Sequence, residues 1–234
     1  MLDGGYVTKK LPQQRPDEND IYNFALACVH QPTEELFRIF YYHCAPYEKH
    51  EYLPISGAVM DFGASPQAAH GKSVLSKLAQ KNYVAVRKGQ LRFRGWSIKK
   101  FVINRLQSQA IQQTIASASQ VAASTQTNAS ALHQNSLLTD SDFSPDFTQK
   151  EVDIKIGLDV AWLSSKRIVD KIILITGDTD FIPAMKFARR EGVQVVIANI
   201  LTSPAQNNYL KSELLEHADE VRNLSFQSNT WMII

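Results

Sequence analysis

The chain has 234 residues, 44% of them hydrophobic and 21% charged, which excludes a fully disordered or collagen-like protein. No apolar run of about eighteen residues occurs, and no charged n-region precedes an apolar stretch at the start, so neither a membrane span nor a signal peptide is expected. The net charge of +2 conceals an asymmetry: Phe62 to Thr139 contains no acid but carries Lys72, Lys77, Lys81, Arg87, Lys88, Arg92, Arg94, Lys99, Lys100 and Arg105. Such a block either binds a polyanion or neutralises the acidic remainder of the fold. Cys28 and Cys44 lie too far apart for a zinc half-site, and a reducing cytoplasm is the expected setting.

Asp20 is expected to cap a helix running to about His30, broken by Pro32. Leu36 to Tyr42 is rich in β-formers and reads as a buried strand. Cys44 to Phe62 reads as loop with some extended structure. Ser65-Pro66 starts a helix to about Gln80, with serine as N-cap and proline in the first turn. Tyr83 to Trp96 alternates apolar and basic residues around Lys88-Gly89, which predicts a β-hairpin. Gln107 to Gln149 is rich in Gln, Ser, Ala, Thr and Asn. Its first part extends a helix, and the rest has too little apolar surface to offset its ordering entropy. A flexible low-complexity insertion over 107–149 is expected.

Glu151 to Leu163 reads as helix, Lys171 to Thr176 as a short apolar strand, and Phe181 to Glu191 as a helix closed by Gly192. Val193 to Ile200 is a further strand. Ser203-Pro204 opens a last helix from near Tyr209 to Val221, followed by a tail over 225–234. The alternation of strand and helix predicts an α/β fold with a central parallel sheet, with chemistry at the carboxyl ends of its strands.

Two acids, Asp178 and Asp180, follow the strand ending at Thr176, where Gly177 permits a tight turn. One aspartate there would be an ordinary helix cap; two, separated by one residue, leave capping and cation binding as about equal readings. Asp3 follows Met1-Leu2 and precedes Gly4-Gly5, the same strand-end placement. Asp153 and Asp159 lie in an otherwise apolar helix. Six residues apart, they differ by about 600° of rotation, so only one is expected to face the strand-end cleft. A cluster of carboxylates suits Mg²⁺ or Mn²⁺ over zinc. No P-loop, Gly-x-Ser-x-Gly elbow, Gly-x-Gly-x-x-Gly or His-Glu-x-x-His is present.

Three segments carry a resemblance: Asp3-Gly4-Gly5-Tyr6, Lys150-Glu151-Val152-Asp153-Ile154-Lys155-Ile156-Gly157-Leu158-Asp159, and Thr176-Gly177-Asp178-Thr179-Asp180-Phe181-Ile182-Pro183-Ala184. Together they resemble the NYN domain, more narrowly its LabA-like branch, within the PIN-like superfamily of metal-dependent ribonucleases. The resemblance implies a three-layer α/β/α fold with a central parallel sheet, split into 1–106 and 150–224 by the insertion. It implies that Asp3, Asp153, Asp178 and Asp180 hold Mg²⁺ or Mn²⁺, with Asp159 a further member and Thr176 supporting the site through its hydroxyl. The sequence departs from the family pattern twice. Tyr6 stands near where many members carry Asn, and only Met1 and Leu2 precede Asp3, where a strand usually has about five residues.

The expected function is endonucleolytic hydrolysis of single-stranded RNA. Arg87, Lys88, Arg92, Arg94, Lys99 and Lys100 are candidates for the backbone contact, and Tyr83, Phe93 and Trp96 for base stacking. The alternative is an RNA-binding or regulatory module of the same fold without cleavage. A phosphatase would need an Asp-x-Asp pair after the first strand, which Asp3-Gly4-Gly5 does not supply. Oligomerisation is compatible with the sequence.

Overall fold

A computed structural model describes residues 1–120, 138–201 and 210–234. The chain divides into two compact units, one of residues 1–47, 64–91 and 149–234, the other of 48–63 and 92–148. These boundaries differ from the expected break at 106 and 150.

The first unit is built on one run of hydrogen-bonded strands. β1 (Leu2–Asp3) pairs in parallel with β2 (Ile39–Cys44), which pairs in parallel with the start of β5 (Val84–Ile98). On its other side β1 bonds to the end of β7 (Lys171–Leu174): Asp3 N–H donates to Ile175 O over 3.0 Å, and Ile175 N–H to Met1 O over 2.9 Å. Beyond β7 lie β8 (Gln194–Leu201), β9 (Glu220–Gln227) and the antiparallel β10 (Thr230–Ile233). Both edges of β1 are therefore paired.

Alternation along β2 divides the apolar residues into two clusters. Phe40 and Tyr42 pack with Ile156, Val160 and Leu163 of α5 (Val152–Ser165) and with Met185 and Ala188 of α6 (Ile182–Arg190). Ile39 and Tyr41 pack with Ile21 and Phe24 of α2 (Glu18–Ala27) and with Val74, Leu75 and Leu78 of α3 (Pro66–Leu78). Ser65 caps α3 through Ala68 N–H, as the Ser-Pro pair indicated. The cap of α2 is Asp17, not Asp20. Asp20 occupies the third helical position and completes a capping box with Asp17.

The second unit holds the antiparallel pair β3 (His50–Tyr52) and β4 (Val59–Asp61), the outer part of β5, most of β6 (Phe143–Lys150), and α4 (Lys100–Gln120). Phe62, Phe93, Trp96 and Phe147 pack on one another here, with ring centroids between 5.3 and 6.1 Å apart. Trp96 Nε1 donates to Tyr52 O. Phe93 and Trp96 thus pack within this unit.

The expected hairpin at 83–96 is replaced by one strand, β5. Lys88 and Gly89 lie in parallel register with His43 and Cys44. A Cβ on Gly89 would meet Lys150 O at 2.6 Å and Val152 Cγ2 at 2.7 Å. The glycine therefore serves a close approach inside the sheet and makes no turn. Val84 and Val86 pack with one cluster and Ala85 and Leu91 with the other, so the strand start is apolar on both sides. Within the expected insertion, residues 143–149 are strand, and 121–137 lie outside the described residues. The last helix shrinks to α7 (Ser212–Glu216), and Glu220–Gln227 is strand. The start expected at Ser203-Pro204 lies outside the described residues. The expected tail holds β10, reached by a tight turn with Ser228 and Asn229 at φ +49° and +62°.

Candidate metal centre

Asp3 ends β1 and caps α1 (Gly4–Lys10): its Oδ1 accepts from Gly5 N–H at 3.0 Å and Tyr6 N–H at 3.2 Å. Its Oδ2 accepts from Thr176 Oγ1 at 3.4 Å. Thr176 is fully buried, and its Oγ1 in turn accepts from Asp178 N–H at 3.1 Å. The Asp178 carboxylate caps the following turn by accepting from Asp180 N–H at 3.1 Å. One threonine hydroxyl thus joins the ends of β1 and β7, the expected strand-end placement.

Two glycines allow this approach. A Cβ on Gly4 would meet Tyr42 O at 2.7 Å and His43 Cβ at 2.8 Å; one on Gly177 would meet the Tyr6 ring at 2.6 Å. The Gly4-Gly5-Tyr6 and Gly177-Asp178 stretches are therefore mutually fitted.

Burial pushes the Asp3 carboxyl above its ordinary range, against the lowering effect of its hydrogen bonds. Asp153, at the start of α5, is also raised, first by burial and then by the charges of Asp3, Asp178 and Asp180. Those four acids form one electrostatic group. Asp159 is engaged elsewhere: its Oδ2 accepts from Tyr42 Oη at 2.8 Å and from Arg87 Nε at 3.0 Å.

No Lys or Arg forms an ion pair with the four acids among the described residues. Their side chains as placed also form no group of three close enough to ligate a metal among the described residues. The chemistry of the set nonetheless fits a hard divalent cation: every donor is a carboxylate oxygen, and burial desolvates Asp3.

Two neighbours were given no part in the site by the sequence. His43, at the carboxyl end of β2, has a buried Nδ1 with no hydrogen-bond partner. Burial lowers its basicity, and Asp3 partly offsets this. Tyr6 covers Gly177, and burial and Asp3 raise its hydroxyl pKa. The only sequence signal for His43 was a polar residue closing an apolar strand.

Of the basic candidates, Arg87 is committed to Asp159 and also lies over the Phe40 ring. Lys88 is exposed, and its carbonyl accepts from Lys155 Nζ. Arg92, Arg94, Lys99 and Lys100 belong to the second unit. There Arg94 reaches Thr148 Oγ1 at 3.5 Å, and Lys99 donates to Ser141 O at 2.7 Å. Arg92 and Lys100 are exposed.

The NYN domain model matches residues 63–225, which include Asp153, Thr176, Asp178 and Asp180. The chain belongs to the NYN domain family. Asp3 lies outside the matched span and enters the group through Thr176. The NYN family is part of the PIN-like nuclease superfamily, and the parallel-containing α/β architecture is compatible with that fold. No curated protein and no solved structure matches the chain significantly. No helix among the described residues is long and apolar enough to cross a membrane.

Proposed function

We propose that this NYN protein is a metal-dependent endoribonuclease acting on single-stranded RNA, of the LabA-like branch and with the three-layer PIN-like arrangement. The reading is supported by one observation: the hydroxyl of Thr176 links Asp3, at the end of β1, to the backbone of Asp178 after β7, which lies in the matched NYN span. The two apolar clusters on either side of Tyr41 and Tyr42 support the layering.

Asp3, Asp153, Asp178 and Asp180 are the residues that would hold Mg²⁺ or Mn²⁺. The bound ion would supply an activated water and stabilise charge developing on the phosphate. Thr176 holds Asp3 in place and fixes the backbone before Asp178. Asp3 holds its own carboxylate through two α1 amides, so its oxygens are oriented before any ligand arrives. No side-chain nucleophile is needed. Lys88, Arg92, Arg94, Lys99 and Lys100 are the proposed contacts to the RNA backbone, whereas Arg87 supports Asp159. The two buried free thiols suit a reducing cytoplasm.

The test is incubation of labelled single-stranded RNA and DNA with Mn²⁺, Mg²⁺ or chelator. Cleavage of RNA that needs the ion supports the reading. RNA binding without cleavage under any ion would favour the regulatory module instead.

A further inference from the structure

Helix α5 buries Val152, Ile156, Val160 and Leu163 in the first unit. Its opposite side carries Ile154, Leu158 and Trp162, which remain 64%, 63% and 53% exposed. Four residues apart, they form one continuous stripe along the helix. Three large apolar side chains in line on a helix face left exposed among the described residues mark an interaction surface. Gly157 and Ala161 border the stripe, and no atom lies within 4 Å of a Cβ built on Gly157. That open space admits the backbone of another helix.

The flanking charges say which helix. Exposed Glu151, three residues before Ile154 and on the side of the stripe, stands at the amino end of α5, where it also pairs with Lys155 at 2.9 Å, and exposed Lys166 and Arg167 stand just past its carboxyl end. Such a helix is complementary to itself when two copies run antiparallel: acids meet bases at both ends, and the helix dipoles oppose. Ile154 of one copy then meets Trp162 of the other, with Leu158 at the centre. The chain's undescribed stretches offer no apolar counterpart, since 121–137 and 202–209 are dominated by Ala, Ser, Thr, Gln and Asn. We infer that the stripe Ile154–Leu158–Trp162 is the centre of an isologous homodimer, two α5 helices packing antiparallel across a two-fold axis. The inference is independent of the nuclease reading.

Sedimentation velocity of the full chain at low salt, from about 1 to about 100 µM, tests it. The wild type is expected to pass reversibly from monomer to dimer, with weaker association at high salt. Leu158→Glu is expected to stay monomeric over the whole range, with its circular dichroism unchanged. Trp162→Gln serves as the second variant should Leu158→Glu fail to fold. Lys166→Glu with Arg167→Glu is expected to weaken association at least about tenfold, and adding Glu151→Lys to recover it. A wild type that remains monomeric throughout overturns the inference. So does a dimer that persists unchanged in Leu158→Glu or in Trp162→Gln.

Discussion

The hydroxyl of Thr176 donates to Asp3 across 173 residues of sequence while accepting from the backbone of Asp178. That single buried atom connects the first strand of the chain to the Gly-Asp turn of a strand formed much later. Asp3 thereby joins a group whose other members lie inside the NYN match.

Replacing Thr176 by Val keeps its volume but removes both hydrogen bonds. The Asp178 amide then loses its acceptor, which should cost about 1–3 kcal/mol of stability. Thr176→Ser restores the hydroxyl and should recover most of the loss. Urea denaturation of the three proteins checks the order. Equal stability of wild type and Thr176→Val would show that the link is idle.

Asp178→Asn and Asp180→Asn should each abolish Mn²⁺ binding with the fold retained, because each removes a charge from a group that has no cation of its own. Calorimetric titration reads the affinity, and far-ultraviolet circular dichroism reads the fold. Undiminished affinity in both variants would remove these residues from the metal centre.

The metal-free protein should show a specific pH signature at Asp3. Its carboxyl is raised above 3.8, so between that value and the folded-state pKa the native state binds more protons than the unfolded chain. The contribution of Asp3 to stability therefore falls as pH rises through that window. Asp3→Asn keeps the α1 cap, since asparagine also caps well. Its stability relative to wild type should rise from about pH 4 to pH 7 in chelator. Glu34 works in the opposite sense: the buried Arg222 and the half-buried Lys171 hold its carboxyl well below the usual range. That contribution is present above the ordinary value of 4.5 and is lost on acidification. A relative stability of Asp3→Asn that falls with pH would contradict the assignment.

The arginines should now separate into two kinds. Arg87→Ala should lower the melting temperature without changing the salt dependence of RNA binding, because its partner is Asp159. Arg92→Ala with Arg94→Ala should leave the melting temperature nearly unchanged and flatten the salt slope by about 1.4, at about 0.7 for each phosphate no longer neutralised. Binding isotherms at several salt concentrations, beside melting curves, distinguish the two.

The parts of this protein that were legible in sequence are those whose cause is local. Ser65-Pro66 caps its helix by its own atoms, and Gly177-Asp178 makes its turn by its own chemistry. What escaped depends on neighbours distant in sequence. Gly89 follows Lys88 as a turn would, yet it is small because Lys150 and Val152 press against it. Arg87 reads as a free base until Asp159, 72 residues on, folds against it. Arg222 follows directly on the expected last helix, and nothing local in the sequence marks it. In the fold it lies buried in β9, where it donates to Cys28 O and to both oxygens of Glu34, 188 residues earlier. At the site, the acids stood out as types out of place in apolar runs. His43 did not, because one histidine closing a strand has many ordinary explanations.

The central claim is that the group around Asp3 and Asp178 holds the ion used to cleave RNA. Single-turnover cleavage of an end-labelled single-stranded RNA, by wild type, Asp3→Asn and Asp178→Asn, in Mn²⁺ and in chelator, tests it most directly. Cleavage by the wild type in Mn²⁺ only is expected, with a loss of at least about a hundredfold in both variants, or about 2.7 kcal/mol of barrier. Cleavage that survives chelation, or that both variants retain at the wild-type rate, would contradict it.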